Sequence, residues 1–176
     1  MAKRSQPSRE SGQQIAEAAL VLPILFLILL GIFWFGRAFN MASTVERAAK
    51  HAIEAFHQTC ASCGNTTPTN AQIVARVNAA LQDDHLAVAN VTNYSPPFAC
   101  QPTLAPACTT LQGVEICTGA PLTCGTATCQ TPPVACGTDP ELGVRVSFGY
   151  RFTSPLPIAN LQAITLHASA LSPSEQ

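Results

Sequence analysis

A chain of 176 residues with 9 Lys+Arg against 10 Asp+Glu has room for one ordinary domain and an appendage. Charged residues make up 11% of it and apolar residues 47%, and that charged share is about half the usual one for soluble domains. The balance argues against a nucleic-acid-binding surface, an acidic or basic tail and a highly charged disordered chain.

In chain order, residues 1–12 form a short basic leader with Lys3, Arg4 and Arg9 against Glu10. A transmembrane and stem helix is predicted over 13–58. Its span, 18–36, contains no charge and includes the apolar run Leu20 to Leu30 broken only by Pro23. Nineteen helical residues rise roughly 28 Å, close to the hydrocarbon thickness of a bilayer. A cleavable secretory signal has a shorter apolar core and a small-residue site after it, which the stretch from Arg37 to Ser43 does not supply. Phe33, Trp34, Phe35 and Arg37 read as an interfacial aromatic belt with a snorkelling cation. Basic residues flank the span equally, but all eight cysteines lie beyond it. Disulfide chemistry therefore puts the domain 59–176 outside the cytoplasm, with the amino terminus inside.

At the entry to the span the chain reads Ser11-Gly12-Gln13-Gln14-Ile15-Ala16-Glu17-Ala18-Ala19-Leu20. A carboxylate at the edge of a membrane helix is costly to place and marks a functional position by default. One reading is local: Ser11 and Gln14 form a capping box and Glu17 favours the positive end of the helix dipole. The other rests on the conjunction of basic leader, Gly12, Glu17 and immediate apolar run, which resembles the processing site of prepilins. The wider pattern, continuing through Pro23 to Gly31-Ile32-Phe33-Trp34-Phe35-Gly36-Arg37-Ala38-Phe39, is similar to the TadE-like minor pseudopilins of tight-adherence (Flp) pilus systems. Ala18 stands where such proteins usually carry an aromatic residue.

The resemblance implies that a membrane prepilin peptidase cuts between Gly12 and Gln13 and that Glu17 is the assembly carboxylate. It also implies an inner-membrane location, with other pilins or pseudopilins and the pilus assembly platform as partners and no nucleic acid. The physical logic runs alongside. A new ammonium on Gln13 needs a partner in lipid, and Glu17 of a neighbouring subunit is one. At about 4 Å and an effective dielectric near 20 their attraction is on the order of 4 kcal/mol before desolvation. Pro23 removes the bond to the carbonyl of Ala19, which predicts a kink.

Past Arg37 the helix is predicted to continue to about Phe56, with Ala38, Met41, Val45, Ala48, Ala49, Ala52, Ile53 and Phe56 forming one apolar stripe. A second helix is predicted from Thr69 or Asn70 to Leu81, burying Ile73, Val74, Val77 and Leu81. Strand-like runs follow at Leu86–Thr92, Leu111–Cys117, Gly143–Phe152 and Ile164–Ala170. The expected class is α+β: a long membrane-spanning helix leading into a small antiparallel sheet domain. Ser154–Pro157 and Ile164–Ala170 also look like the carboxy-terminal stretch of TadE-like chains.

Between 94 and 140 the chain turns rich in Pro, Thr and Cys, with too little apolar periodicity for a core of its own. Cross-links are expected to order it as an insertion. The disulfide candidates are Cys60, Cys63, Cys100, Cys108, Cys117, Cys124, Cys129 and Cys136, and eight cysteines leave 105 pairings open. Cys60-x-x-Cys63 is the one good metal half-site, and no matching second pair accompanies it; no metal or other cofactor is expected. His51, His57, His85 and His167 are scattered, without a phosphate loop or nucleophile elbow, so no catalysis is expected. The competing reading from another class is an uncleaved, signal-anchored, extracytoplasmic cysteine-rich binding module.

Overall fold

The computed structural model describes residues 10–57, 67–102, 105–129, 133–153 and 163–173. They divide into two units, 1–41 and 42–176, with helix α1 (Glu10–His57) passing through the division. In the first unit α1 is unbroken across Pro23, and Leu20, Leu22, Phe26, Leu29, Phe33 and Phe35 are each more than half exposed. Such a surface suits lipid or neighbouring apolar helices better than water. Ile15–Phe56 is long and apolar enough to cross a membrane, and in its most apolar stretch no residue is buried inside the protein. By length, composition and exposure the helix suits a membrane anchor.

In the second unit the stem buries Val45, Ala48, Ala49, Ala52 and Ile53, most of the expected stripe. Helix α2 (Asn70–Asp83) buries Ile73, Val74, Val77 and Leu81 as its periodicity requires, and Thr69 caps it in a full capping box with Gln72. Its other end is a Schellman motif: Leu86 N–H donates to the Leu81 carbonyl and His85 N–H to that of Gln82. His85 thereby takes the left-handed position, with φ +59°, which a residue bearing a Cβ occupies at a cost.

The sheet is antiparallel. It has five strands: β1 (Val91–Thr92), β2 (Ala107–Leu111), β3 (Val114–Pro121), β4 (Leu142–Thr153) and β5 (Ala163–Pro173). The main path runs β1-β4-β3-β2, and β5 also pairs with β4. β3 takes one edge of β4 over Leu142–Ser147, β1 continues that edge at Gly149 and Tyr150, and β5 covers the other edge from Gly143 to Thr153. Antiparallel partners share a face. One face therefore collects Val114, Ile116, Val144, Val146, Phe148, Tyr150, Ala168 and Ala170, all buried. With the buried stem and α2 residues they make the core.

Three expectations need correction. Of the run Leu86–Thr92 only β1 is a strand, because Val88–Asn90 winds into a 3-10 turn. The run Leu111–Cys117 straddles a hairpin: Gln112 and Gly113 both have positive φ and form the two-residue loop that joins β2 to β3 with the hand a twisted hairpin needs. A Cβ on Gly113 would also approach the Val91 carbonyl to 3.0 Å. The segment 94–140 is cross-linked, as expected, but it also builds part of the core. β2 and β3 come from it, and Val114, Ile116, Cys117 and Ala120 are buried.

The described cysteines pair as Cys100–Cys136, Cys108–Cys117 and Cys124–Cys129, leaving none of them free. Cys60 and Cys63 lie outside the described residues. Cys108–Cys117 joins directly opposed positions of β2 and β3. Cys124–Cys129 closes the start of the β3–β4 connection. Cys100–Cys136 clamps the ends of the whole excursion, beside the bridge Gln101–Ala135.

The left-handed cap and the cross-links each yield a stability prediction. Replacing His85 with Gly should raise stability by about 0.5–1 kcal/mol through relief of the left-handed position, measured by chemical denaturation of the intact chain in detergent. Chain entropy ranks the cross-links by loop length: 36 residues for Cys100–Cys136 against 5 for Cys124–Cys129, about 4 against about 2 kcal/mol. The double variant Cys100→Ala/Cys136→Ala should accordingly lose more in the same assay than Cys124→Ala/Cys129→Ala.

Candidate functional site

Helix α1 places the entry segment. Its described part runs from Glu10, and Ser11 lies within it. Gly12 and Gln13 follow in the same turn, and Glu17 comes one turn later with its side chain exposed. On the helix surface Leu20 and Val21, one turn on from that carboxylate, are themselves at least half exposed. At the far end of the span Trp34 packs edge-on against Phe33 with ring centroids 5.8 Å apart, and the Arg37 guanidinium lies 6.0 Å from the Trp34 ring. That arrangement suits the predicted interfacial belt, where an aromatic ring and a cation reach the polar boundary together.

The predicted site residues thus form two separate groups. Gly12, Gln13, Glu17 and Pro23 belong to the amino-terminal half of α1. The described cysteines all belong to the sheet domain. The histidines stay apart as well: His51 bonds Glu54 at 3.1 Å along α1, and His167 stacks on Tyr94 with centroids 4.0 Å apart. Lys50 pairs with Glu46 at 2.9 Å across one exposed helix turn, an interaction worth a few tenths of a kcal/mol.

The second face of the sheet carries a group that no local pattern reveals. Glu115 and Cys117 on β3 stand opposite Ser147 and Arg145 on β4, and all four are buried. Arg145 Nη2 donates to Glu115 Oε2 at 3.2 Å, and the Ser147 hydroxyl donates to the same oxygen at 3.2 Å. Arg145 Nη1 donates to the Pro96 carbonyl at 2.8 Å, its Nη2 lies 3.7 Å from Cys117 Sγ, and the guanidinium covers the Phe98 ring at 3.9 Å. Burial lowers the Arg145 pKa from its ordinary value, and the Glu115 carboxylate opposes that shift. The cluster fastens the stretch that includes Pro96 and Phe98 across β3 and β4.

Cys108, Glu115 and Cys117 bring donor atoms within 4.8 Å of one another, a spacing that invites a metal reading. Both sulfurs are taken up in a disulfide and a guanidinium stands beside them. The trio is therefore part of a cross-linked ion-pair cluster, with no thiolate to offer a cation. A shallow hollow lined by Thr44, Arg47, His51, Ala80, Asp83 and Asp84 lies between the stem and α2 and mixes both signs of charge without converging on a point.

Comparison with known proteins bears on the first group. Residues 12–53 match the family model described as TadE-like protein. The match begins at Gly12, includes Glu17, Pro23 and the aromatic belt, and ends in the stem. The carboxy-terminal stretch, Ser154–Pro157 and Ile164–Ala170, lies outside the match. No curated protein and no solved structure matches the chain.

The buried cluster yields a two-part prediction. Glu115→Ala, which strands Arg145 without its carboxylate, should cost about 3–5 kcal/mol. The paired change Glu115→Leu/Arg145→Met should cost clearly less, because two apolar side chains need no partner. Denaturant titration of the detergent-solubilised chain with its disulfides intact measures both.

Proposed function

We propose that this chain, with the TadE-like pattern across its amino-terminal helix, is a minor pseudopilin of a tight-adherence pilus system. On this reading a prepilin peptidase cuts after Gly12, the remaining chain sits in the inner membrane through residues 18–36, and the sheet domain faces the periplasm. The role is structural: the protein contributes to pilus assembly or adhesion and catalyses nothing. The observation that carries the proposal is the family match over 12–53, which includes the cleavage glycine and the carboxylate. Two further features support it. Gly12, with no side chain, stands where a peptidase needs close access to the backbone, and the apolar α1 surface beyond Glu17 is exposed along the whole span. That surface suits lipid before assembly and neighbouring helices after it, with Ala16, Ala18 and Ala19 allowing close helix approach.

The same reading gives Glu17 its work. Once the leader is gone, the ammonium of Gln13 and the carboxylate of Glu17 on an adjacent subunit neutralise each other where neither charge is welcome alone. Pro23 weakens the backbone ladder one turn further on, a place where the helix can adjust as subunits pack.

Intact mass of the membrane-extracted protein tests the processing step. The wild type should begin at Gln13, whereas Gly12→Leu should retain residues 1–12; equal masses for the two in cells that contain the peptidase would count against the proposal. Glu17→Ala should still be cut yet fail to support piliation, and normal pilus numbers in that variant would remove the pairing role.

A further inference from the structure

The Cys108–Cys117 bond places its two sulfurs in opposite surroundings. Cys108 is exposed on β2, and Cys117, directly opposite it on β3, is fully buried. In thiol–disulfide exchange a thiolate attacks the sulfur it can reach, and the electron pair leaves on the other sulfur, faster where that anion is stabilised. Here the reachable sulfur is Cys108 and the departing one is Cys117, which has Arg145 Nη2 at 3.7 Å. Of the N–H donors a guanidinium carries, Nη1 of Arg145 gives one to the Pro96 carbonyl and Nη2 one to Glu115. Its Nε has no hydrogen-bond partner among the described residues, although Arg145 is buried. The cation thus keeps donors that its neighbours leave unused, and the sulfur beside it accepts only weakly while it is part of a disulfide. A thiolate in the same place is a strong, charge-assisted acceptor.

The other two described disulfides lack this asymmetry of charge. Cys124 is buried behind an exposed Cys129, but Cys124 Sγ lies 3.4 Å from the Ala99 carbonyl oxygen, where a departing anion would meet a lone pair. Cys100 Sγ lies 3.6 Å from the Thr123 carbonyl oxygen, and neither end of Cys100–Cys136 is exposed.

We propose that Cys108–Cys117 is a thiol-exchange site that takes an external thiolate, from a small thiol or from a cysteine of another protein, on Cys108. The incoming sulfur bonds to Cys108 Sγ, the Cys108–Cys117 bond breaks, and its electron pair departs on Cys117 as a thiolate held by Arg145. One S–S bond forms as one breaks, so no oxidant or reductant is consumed, and the proton of the incoming thiol goes to solvent. The step is reversible by the same geometry: the Cys117 thiolate attacks Cys108 Sγ and expels the adduct. Glu115 opposes a second anion beside it, so the balance turns on the donors of Arg145.

The experiment uses the full chain in detergent with its disulfides formed and reduced glutathione as the thiol. Acid quenching, alkylation and non-reducing peptide mass mapping assign each adduct and each freed thiol to its own cysteine. Glutathione should appear on Cys108 with Cys117 freed, before Cys100–Cys136 or Cys124–Cys129 opens. The paired change Glu115→Leu/Arg145→Met should slow that step by about tenfold or more, measured against exchange at Cys124–Cys129 in the same molecules. Should that variant loosen and open all three bonds faster, the wild-type map decides alone. In native-host membranes trapped by acid, a glutathione-sized mass on Cys108 identifies a small thiol as the source, and a foreign peptide identifies a protein cysteine. An adduct on Cys117, earlier opening of either other bond, an unslowed double variant whose other disulfides hold, or Cys108 joined only to Cys117 in the host would each overturn the proposal.

Discussion

Strand β4 is the constraint on which the domain depends. It is flanked by strands on both edges, and from Gly143 to Tyr150 every residue is buried. A strand in that position needs cover on two faces. The first is met in the ordinary way, by apolar side chains alternating along Val144, Val146, Phe148 and Tyr150. The second carries Arg145 and Ser147, and a guanidinium withdrawn from water must be answered by a carboxylate, a carbonyl and an aromatic ring. Glu115, Pro96 and Phe98 supply those answers. All three come from the Pro- and Cys-rich stretch, so the least regular part of the chain is tied to its most central strand.

Such a cluster explains why a segment poor in apolar periodicity is nonetheless ordered. Its cover over β3 and β4 is held by directional contacts where a broad apolar face would ordinarily serve. Directional contacts demand a fixed backbone, which the Cys108–Cys117 and Cys100–Cys136 bonds provide on either side. Covalent closure limits where the chain can go, and the charge pair selects one arrangement within that limit.

What was legible in the sequence follows the range of the interactions involved. Helix α2 could be read with its buried face and its cap, since Thr69, Gln72 and the four apolar positions all lie within a few turns of one another. β4 could be read from its alternation, and the anchor from an uncharged stretch of bilayer length. The Gln112-Gly113 hairpin was missed because the loop sits inside an apolar run and lacks the more familiar Asn-Gly or Asp-Gly pair, although its glycine was a usable signal. Arg145 and Glu115 were invisible for a different reason. They meet only through the register of β3 on β4, thirty residues apart, and nothing near either one announces the partner. The disulfide pairing has the same origin. In the entry segment the residue pattern was plain, because Gly12, Glu17 and the apolar run lie close together in the sequence.

The three described disulfides are nested: Cys108–Cys117 and Cys124–Cys129 both fall between Cys100 and Cys136, and no bond crosses another. On the proposed periplasmic placement of the sheet domain, that order has a consequence for a domain oxidised as it emerges. Cys117 arrives nine residues after Cys108 and Cys129 five after Cys124, so each inner bond can close soon after its second thiol emerges. Cys100 must stay reduced while four other thiols pass it. The hazard during synthesis is therefore consecutive oxidation of Cys100 with Cys108, eight residues on, and the β2–β3 hairpin guards against it by holding Cys108 directly opposite Cys117. The turn that sets Cys108 opposite Cys117 thus favours one covalent pairing, and Cys100–Cys136 encloses the other two described bonds.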